Sequence, residues 1–541
     1  MKTRIVPSCN LLSYLIAGAA PVLGGCPGAG PSAEFVAPPE LTPVDGVVNG
    51  TIETRFADNE LVVHDAVTGE VKLVPIHTRT FNGTVPGPTL RLRAGQRLDL
   101  ELVNSLPHEH EHEHGGAGVN FPHNLNSWNF HLHGLHVDPT GAADNVLREL
   151  RPQTRARVDL EVPTDHNAGL FWYHPHKHGA AMVQFLSGMS GAVIIEGDLD
   201  EVPEIAAATE RVMLIQEIGV DDAGQVPDPD PEAEAAEELY KVTQTYFAIN
   251  GIVNPILRMR PGEVSRLRMI NATRGRFLNV SMEDHTWLHI ATDGVTLDAV
   301  REVGNYEIAA GGRFEALVKA GAPGEYSLMT APLTAPTGKF PDPLVLATVV
   351  IEGEPVEMAL PVELPQPDDL LPDTRGLVPD DYRKTEFSVL PSGLNAFQLD
   401  GKLYRPDCYD HVLQRGDLVE WTFENTSEDP HPFHIHTNSF QVLAVNDVAL
   451  DPPIWHDTVK VPPMGSVTAR MRIDDFVGAM VLHCHIINHE DLGMMQNVVI
   501  VDDSLPQAQH VSDPGIDPDD PAQANPAVPG YYVSENFPRC E

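Results

Sequence analysis

Positive charge is scarce in this sequence. Lys and Arg number 35 against 77 Asp and Glu, a formal net charge of −42 over 541 residues. Such a surface repels nucleic acid and anionic lipid headgroups, so neither is expected as a partner. Its everyday consequence is solubility, and it identifies no substrate. Long apolar runs are also missing. The one candidate, residues 11–23, is short and interrupted by Pro21, and nothing else reads as a transmembrane helix. Adjacent arginines, the mark of twin-arginine export, do not occur. Cysteine is sparse, with five in the chain.

What is present begins with an export signal over residues 1–26. Lys2 and Arg4 precede the apolar run, and the expected location is the periplasm, cell envelope or extracellular space. The run ends in Leu23-Gly24-Gly25-Cys26, which resembles a bacterial lipobox. Lipid on Cys26 would be the one route to a membrane, and a plain secretory signal is the competing reading. Cys9 lies within the signal. Cys408 and Cys540 are left over once Cys484 is set aside for the reason given below. In an oxidising compartment their pairing is the obvious proposal, although sequence does not show whether their Cα atoms approach.

The length suggests three or four domains at roughly 150 residues each. A weak repeat supports three. Asn82-Gly83 is followed by Leu90-Arg91-Leu92 and then Leu98-Asp99-Leu100-Glu101-Leu102-Val103-Asn104. Asn250-Gly251 is followed by Ile256-Leu257-Arg258-Met259 and then Leu267-Arg268-Met269-Ile270-Asn271. Asp400-Gly401 is followed by Val412-Leu413 and then Leu418-Val419-Glu420-Trp421-Thr422-Phe423-Glu424-Asn425. Each copy reads turn, strand, turn, strand, and the alternation predicts sheets with one buried face. The expected fold is all-β, with three consecutive β-sandwich domains at 47–196, 205–352 and 385–501. An acidic loop, 221–238, interrupts the second. A Pro/Asp-rich linker covers 354–384, and a Pro/Asp-rich tail covers 502–541.

The chain holds 25 histidines, and eight of them form four His-X-His pairs in strand-like surroundings. They are His131/His133, His174/His176, His434/His436 and His483/His485. On a strand, i and i+2 share a face, so each pair aims two imidazoles at one place. Imidazole suits several metals, and the pairs alone do not choose one. Cys484, between His483 and His485, does. A thiolate with two imidazoles and a weak axial thioether is the blue-copper electron-transfer set. His431 lies upstream at an expected turn, and His489 and Met494 follow. Cys484, His431, His489 and Met494 therefore form one candidate set. His483 and His485 would face a histidine cluster behind it, joined to the first site through Cys484.

These four motifs, in this order and with no ligand missing, resemble those of multicopper oxidases, the family of laccases, bilirubin oxidases and bacterial cuprous oxidases. The resemblance covers nearly all of 47–501. It implies three cupredoxin-like Greek-key domains and four coppers per chain. His131 and His434 would bind the type 2 copper. His133, His174, His176, His436, His483 and His485 would bind the type 3 pair. His431, Cys484 and His489 would bind type 1 copper, with Met494 axial. The implied reaction takes single electrons from a small reducing substrate, such as a phenol or aromatic amine, and uses four of them to reduce O₂ to water. A monomer is expected. The alternative is a metallo-oxidase acting on Cu(I), Fe(II) or Mn(II). Cuprous oxidases often carry a methionine-rich segment, whereas the 14 methionines here form no such run. His123, His136, His166, His178, His285, His289 and His456 match no ligand position and read as structural.

Reducing O₂ to water consumes protons, and two acids match positions where the family keeps one. Glu490 follows His489, and strand alternation would turn it away from the type 1 copper toward the cluster. Asp144 lies downstream of His133, although Asn145 stands where the family more usually has glycine. The alternating tract His108-Glu-His-Glu-His-Glu-His114 reads as a solvated loop, with copper capture as the alternative.

Overall fold

The structure, a computed structural model, describes residues 31–109, 118–335, 338–340, 342–365, 371–502 and 539–540. The signal with Cys26, most of the 108–114 tract and most of the tail lie outside the described residues.

Three turns share one geometry. Asn82-Gly83, Asn250-Gly251 and Asp400-Gly401 all hold both residues at positive φ, between 52° and 80°. Two such residues make the type I′ turn, whose twist matches that of paired strands. The first side chain of each turn plays one role. Asn82 Oδ1 accepts from Glu53 N at 2.7 Å, Asn250 Oδ1 from Leu214 N at 3.0 Å, and Asp400 Oδ1 from Glu386 N at 2.8 Å. The asparagine closing each copy also keeps its role. Asn104, Asn271 and Asn425 are buried, and each donates Nδ2 to two backbone carbonyls. Each also accepts from the N–H two residues on.

Nearly every described element is a strand. In the first unit, Glu40–Leu41, Thr89–Arg93, Gly191–Glu196, Gly169–His174 and His131–His133 form one sheet in that order. The other sheet contains Val47–His64, Arg97–Asn104 and Arg155–Glu161, and it does not stop at the unit's edge. Val62 and Val63 pair in parallel with Ile252 and Val253, so one eleven-stranded sheet spans the first two units. In the third unit, His411–Gln414, Met495–Val501, Gly478–Cys484, His431–Ile435 and Thr458–Val461 form a five-stranded sheet facing a six-stranded one. An apolar core runs from Trp172, Met182 and Phe185 in the first unit to Phe433, Leu482 and Ile486 in the third. That shared core brings the histidine-bearing strands of the two units together.

Alternation holds in Arg97–Asn104 and Leu418–Asn425, where burial follows every second residue. It fails in the middle copy, because Val264–Ala272 is buried at every position. Arg266 and Arg268, expected on a wet face, are sealed in ion pairs with Asp200, Glu210 and Glu315. The strand lies inside the largest sheet, and Leu199 and Ile205 pack across its second face.

Cys408 and Cys540 form a disulfide, with Cα atoms 5.1 Å apart and 132 positions of sequence between them. Closing so long a loop restricts the unfolded chain, so Cys540→Ser should lower unfolding stability by roughly 2–4 kcal/mol. Denaturant midpoints measure this, and an unchanged midpoint would remove the bridge from the account of stability.

Candidate metal centre

Cross-strand register assembles the histidines. In the first unit His131 faces His174, and His133 faces Trp172. In the third, His434 faces His483, and Phe433 faces Cys484. Directly opposed side chains on one face lie close together, so each antiparallel pair brings two histidines side by side. The local expectations are corrected in several places, and the second histidine of three pairs, His176, His436 and His485, lies just beyond its strand. His176 lies beyond the strand that ends at His174, because Pro175 has no N–H for the ladder, and its own N–H donates to Asn129 Oδ1 at 2.6 Å. His431 opens the strand His431–Ile435 rather than sitting in a turn. Glu490 lies on a helical turn, Ile487–Asp491, and not on a strand.

The eight paired histidines form one buried cluster between the first and third units. His131 stacks on His436 with ring centres 3.8 Å apart, and His133 stacks on His434 at the same distance. Nitrogens approach one another: His176 Nε2 to His483 Nε2 at 3.0 Å, His436 Nε2 to His176 Nε2 at 3.2 Å, and His133 Nδ1 to His174 Nε2 at 3.3 Å. Ligand atoms converge in the groups His131, His133, His174; His131, His434, His436; and His176, His436, His483. Burial holds His176 and His483 down at about 4 and His434 at about 3, so they are neutral at neutral pH, the form that binds metal.

The cluster fits bound metal by its own chemistry. His131 Nε2, His434 Nε2 and both ring nitrogens of His485 are buried without a hydrogen-bond partner. An orphaned buried nitrogen costs about 1–3 kcal/mol, and several aimed at one place are explained by an ion that takes their lone pairs. The opposite nitrogens are occupied. His131 Nδ1 meets both Asp144 oxygens at 3.1 Å, and His434 Nδ1 meets the Asp457 carbonyl at 2.8 Å. Such partners fix the tautomer and ring orientation of a ligating histidine.

A second group lies beside it. Cys484 Sγ is 3.3 Å from His431 Nδ1 and 3.8 Å from His489 Nδ1. All three are buried, and burial pushes the Cys484 thiol up, so a cation is what would favour the thiolate there. His431 Nε2 lies 2.9 Å from Ser427 Oγ, and the His489 ring stacks on Phe397. Met494 is buried, and its carbonyl accepts from Cys484 N at 3.1 Å.

Both candidate acids are buried. Glu490 places Oε1 3.5 Å from His176 Nδ1 and Oε2 3.2 Å from His483 Nδ1, without aligned hydrogen bonds. Successive helix residues point about 100° apart, so the turn that aims His489 at Cys484 aims Glu490 at the cluster. Burial raises Glu490 to about 7 and Asp144 to about 7.

Sequence profiles for the multicopper oxidases match residues 69–200, 220–353 and 378–504. The chain belongs to the multicopper oxidase family. It is therefore a copper-dependent oxidoreductase of cupredoxin-like fold. A multicopper oxidase of Staphylococcus aureus is 24% identical, over 78% of this chain and 84% of its own. A laccase of Bacillus subtilis is 22% identical, over 80% and 91%. In fold, this oxidase is similar to a Campylobacter jejuni multicopper oxidase described as a metallo-oxidase, with a TM-score of 0.67 at 23% identity, covering 87% of this chain and 96% of that one.

Sequence reasoning missed several residues that shape the centre of this multicopper oxidase. Asp457 and Thr458 contact His133 Nε2 at 3.2 and 3.0 Å. Burial pushes Asp457 up, but the Arg313 guanidinium outweighs it and holds the carboxyl below its ordinary value. Asp491 accepts from Gly179 N at 2.7 Å and Met182 N at 2.8 Å, tying the His489 turn to the segment after His176. The available signal was weak, because Asp457 stands between His456 and Thr458 in a polar stretch that joins two strands. The histidines set aside as structural do have other partners, such as His456 with Asp293 and His136 with Asp475.

Proposed function

We propose that this multicopper oxidase takes single electrons from a reducing substrate at a copper that Cys484, His431, His489 and Met494 would hold. In this reading it passes them to a trinuclear centre, where four electrons and four protons convert O₂ to two waters. His131 and His434 hold the type 2 copper, and His133, His174, His176, His436, His483 and His485 hold the type 3 pair. Copper, four ions in all, would supply one-electron redox steps at both sites and the affinity for oxygen at the trinuclear centre alone. The protein's own residues do the rest. Cys484 is covalently continuous with His483 and His485, so the thiolate and the cluster share a short through-bond path. The buried walls exclude water. Glu490 holds a proton at an oxygen facing His176 and His483, and Asp144 orients His131 through Nδ1.

The observation that carries this reading is the placement of Cys484 between two cluster histidines while its sulfur faces His431 and His489. Phenols, aromatic amines and similar small donors are the proposed substrates. Cu(I), Fe(II) or Mn(II) is the second reading, favoured by the cover over the type 1 residues. Asn488 Nδ2, one residue before His489, donates to Ala236 O of the acidic loop at 3.1 Å, and Leu239 beside it is buried. We further propose that the protein is exported and monomeric, with lipid on Cys26 as its means of membrane attachment. Among the described residues no helix is long and apolar enough to cross a membrane.

The test is copper reconstitution followed by metal analysis, visible spectra and O₂ uptake on a panel of phenols, bilirubin, Cu(I), Fe(II) and Mn(II). Four coppers, a blue band bleached by anaerobic donor and restored by air, and donor-dependent O₂ uptake are expected. One copper per chain with no O₂ uptake would falsify the trinuclear assignment.

A further inference from the structure

The middle unit supplies none of the proposed copper ligands, yet one of its arginines reaches the cluster. Arg313 opens the strand Arg313–Lys319 and is buried. Its Nε donates to Leu170 O at 3.1 Å, on the first-unit strand that carries Trp172 and His174. Its Nη1 donates to Asp457 Oδ1 at 2.7 Å and to Gly311 O at 3.3 Å, and its Nη2 donates to Asp457 Oδ2. Its backbone N–H donates to Asp293 Oδ1 at 2.7 Å. One guanidinium therefore ties all three units together.

Asp457 is the link to the histidines. Its Oδ1 lies 3.2 Å from His133 Nε2 and accepts from Thr458 Oγ1 at 2.8 Å. Its carbonyl lies 2.8 Å from His434 Nδ1. With Nε2 of His133 committed to the carboxylate, Nδ1 is left facing His174 Nε2. With Nδ1 of His434 committed to the carbonyl, the unpartnered Nε2 is left for the cluster. Gly134, at φ +85°, leaves room for this pair: a Cβ there would strike both the guanidinium and the Asp457 carboxylate.

We propose that Arg313 is a positioning residue of the trinuclear centre, acting through Asp457 to set which nitrogen of His133 and of His434 meets copper. The proposal rests on the trinuclear reading above. A planar, bidentate fork fixes the carboxylate in orientation as well as in place, which a lysine does not do. Groups that orient a ligand in this way typically contribute 10- to 100-fold to metal affinity.

The test is Arg313→Met, Arg313→Lys and Asp457→Asn in the full chain, titrated with copper. For Arg313→Met, copper affinity at the cluster should fall roughly 10- to 100-fold, read as loss of the type 2 EPR signal and the type 3 near-UV absorption. The blue band should stay, because Cys484, His431 and His489 form a separate group whose rings are held by Ser427 and Phe397. At saturating copper the type 2 hyperfine splitting should still differ from wild type, a change that mere loosening of the fold would not produce. Arg313→Lys should fall between the two. Wild-type stoichiometry and an unchanged type 2 signal in Arg313→Met would overturn the proposal. If that variant fails to fold, seen as loss of the blue band, Arg313→Lys and Asp457→Asn decide, and a normal cluster signal in both would overturn it. Absence of type 2 and type 3 signals in the wild type would instead remove the trinuclear reading itself.

Discussion

Cys484→Ser should abolish the blue band and drop donor-supported O₂ uptake to background while the histidine cluster keeps its copper. The effect is the largest expected for any single substitution here. The colour arises from charge transfer between a thiolate and copper, and a serine hydroxyl offers neither the soft sulfur nor the anion at neutral pH. Size is not the cause, since serine fits the buried site without displacing its neighbours. The backbone link from residue 484 N to Met494 O survives the change, as do the cross-strand pairs of His434 with His483 and Phe433 with residue 484. His483 and His485 should therefore keep their aim. Metal analysis should show the loss of one copper at most, and the type 2 EPR signal should remain. Retention of blue colour would mean that another residue supplies the sulfur. Loss of all copper would mean that Cys484 is structural to the cluster and not separable from it.

Glu490→Gln should slow reoxidation by O₂ by roughly 10²- to 10⁴-fold, the range usual for a positioned proton donor, and leave reduction by donor near the wild-type rate. Glutamine keeps the volume of a side chain that is 1% exposed and removes only the group that carries a proton. In the proposed cycle, reduction at the type 1 site needs no proton at the cluster. Reoxidation does, and Glu490 places its two oxygens 3.5 and 3.2 Å from His176 and His483. A solvent isotope effect should appear or grow in stopped-flow reoxidation. Asp144→Asn should slow the same step, with non-additive losses in the double variant. The geometry adds a distinction. Asp144 also touches His131 Nδ1 and accepts from Leu132 N at 2.8 Å, so its variant should loosen the type 2 copper as well. An unchanged reoxidation rate in Glu490→Gln would leave Asp144 or water as the proton source.

Local patterns were legible in the sequence, and long-range partnerships were not. The turns at Asn82, Asn250 and Asp400 are local, because their backbone angles follow from Asn-Gly and Asp-Gly pairs. The His-X-His pairs and Cys484 are local too, since their spacing is visible in the chain, although of the four pairs only His131 and His133 both lie within one strand. Arg313 and Asp457 are 144 positions apart, and neither stands in a pattern that names the other. Arg266 and Arg268 misled for a related reason. A strand's polar positions look wet until a second layer is known to cover them, and that layer comes from residues near 199–210. Glu490 was aimed correctly by the wrong device, because five residues of helix are too few to leave a period.

The two-residue ladder between Val62-Val63 and Ile252-Val253 bears on how such a chain can change over evolutionary time. The proposed copper ligands are divided between the first and third units, which on that ground alone makes the middle one the most replaceable. The ladder opposes that. Excising the middle unit would leave Val62 and Val63 without partners on that side, a short stretch of strand edge open to other chains. An incoming unit would have to present a short strand in the same direction and register, since a slip of one residue turns every side chain to the other face. A change of the middle unit is therefore coupled to the first through this ladder, whereas no strand ladder joins either of them to the third among the described residues.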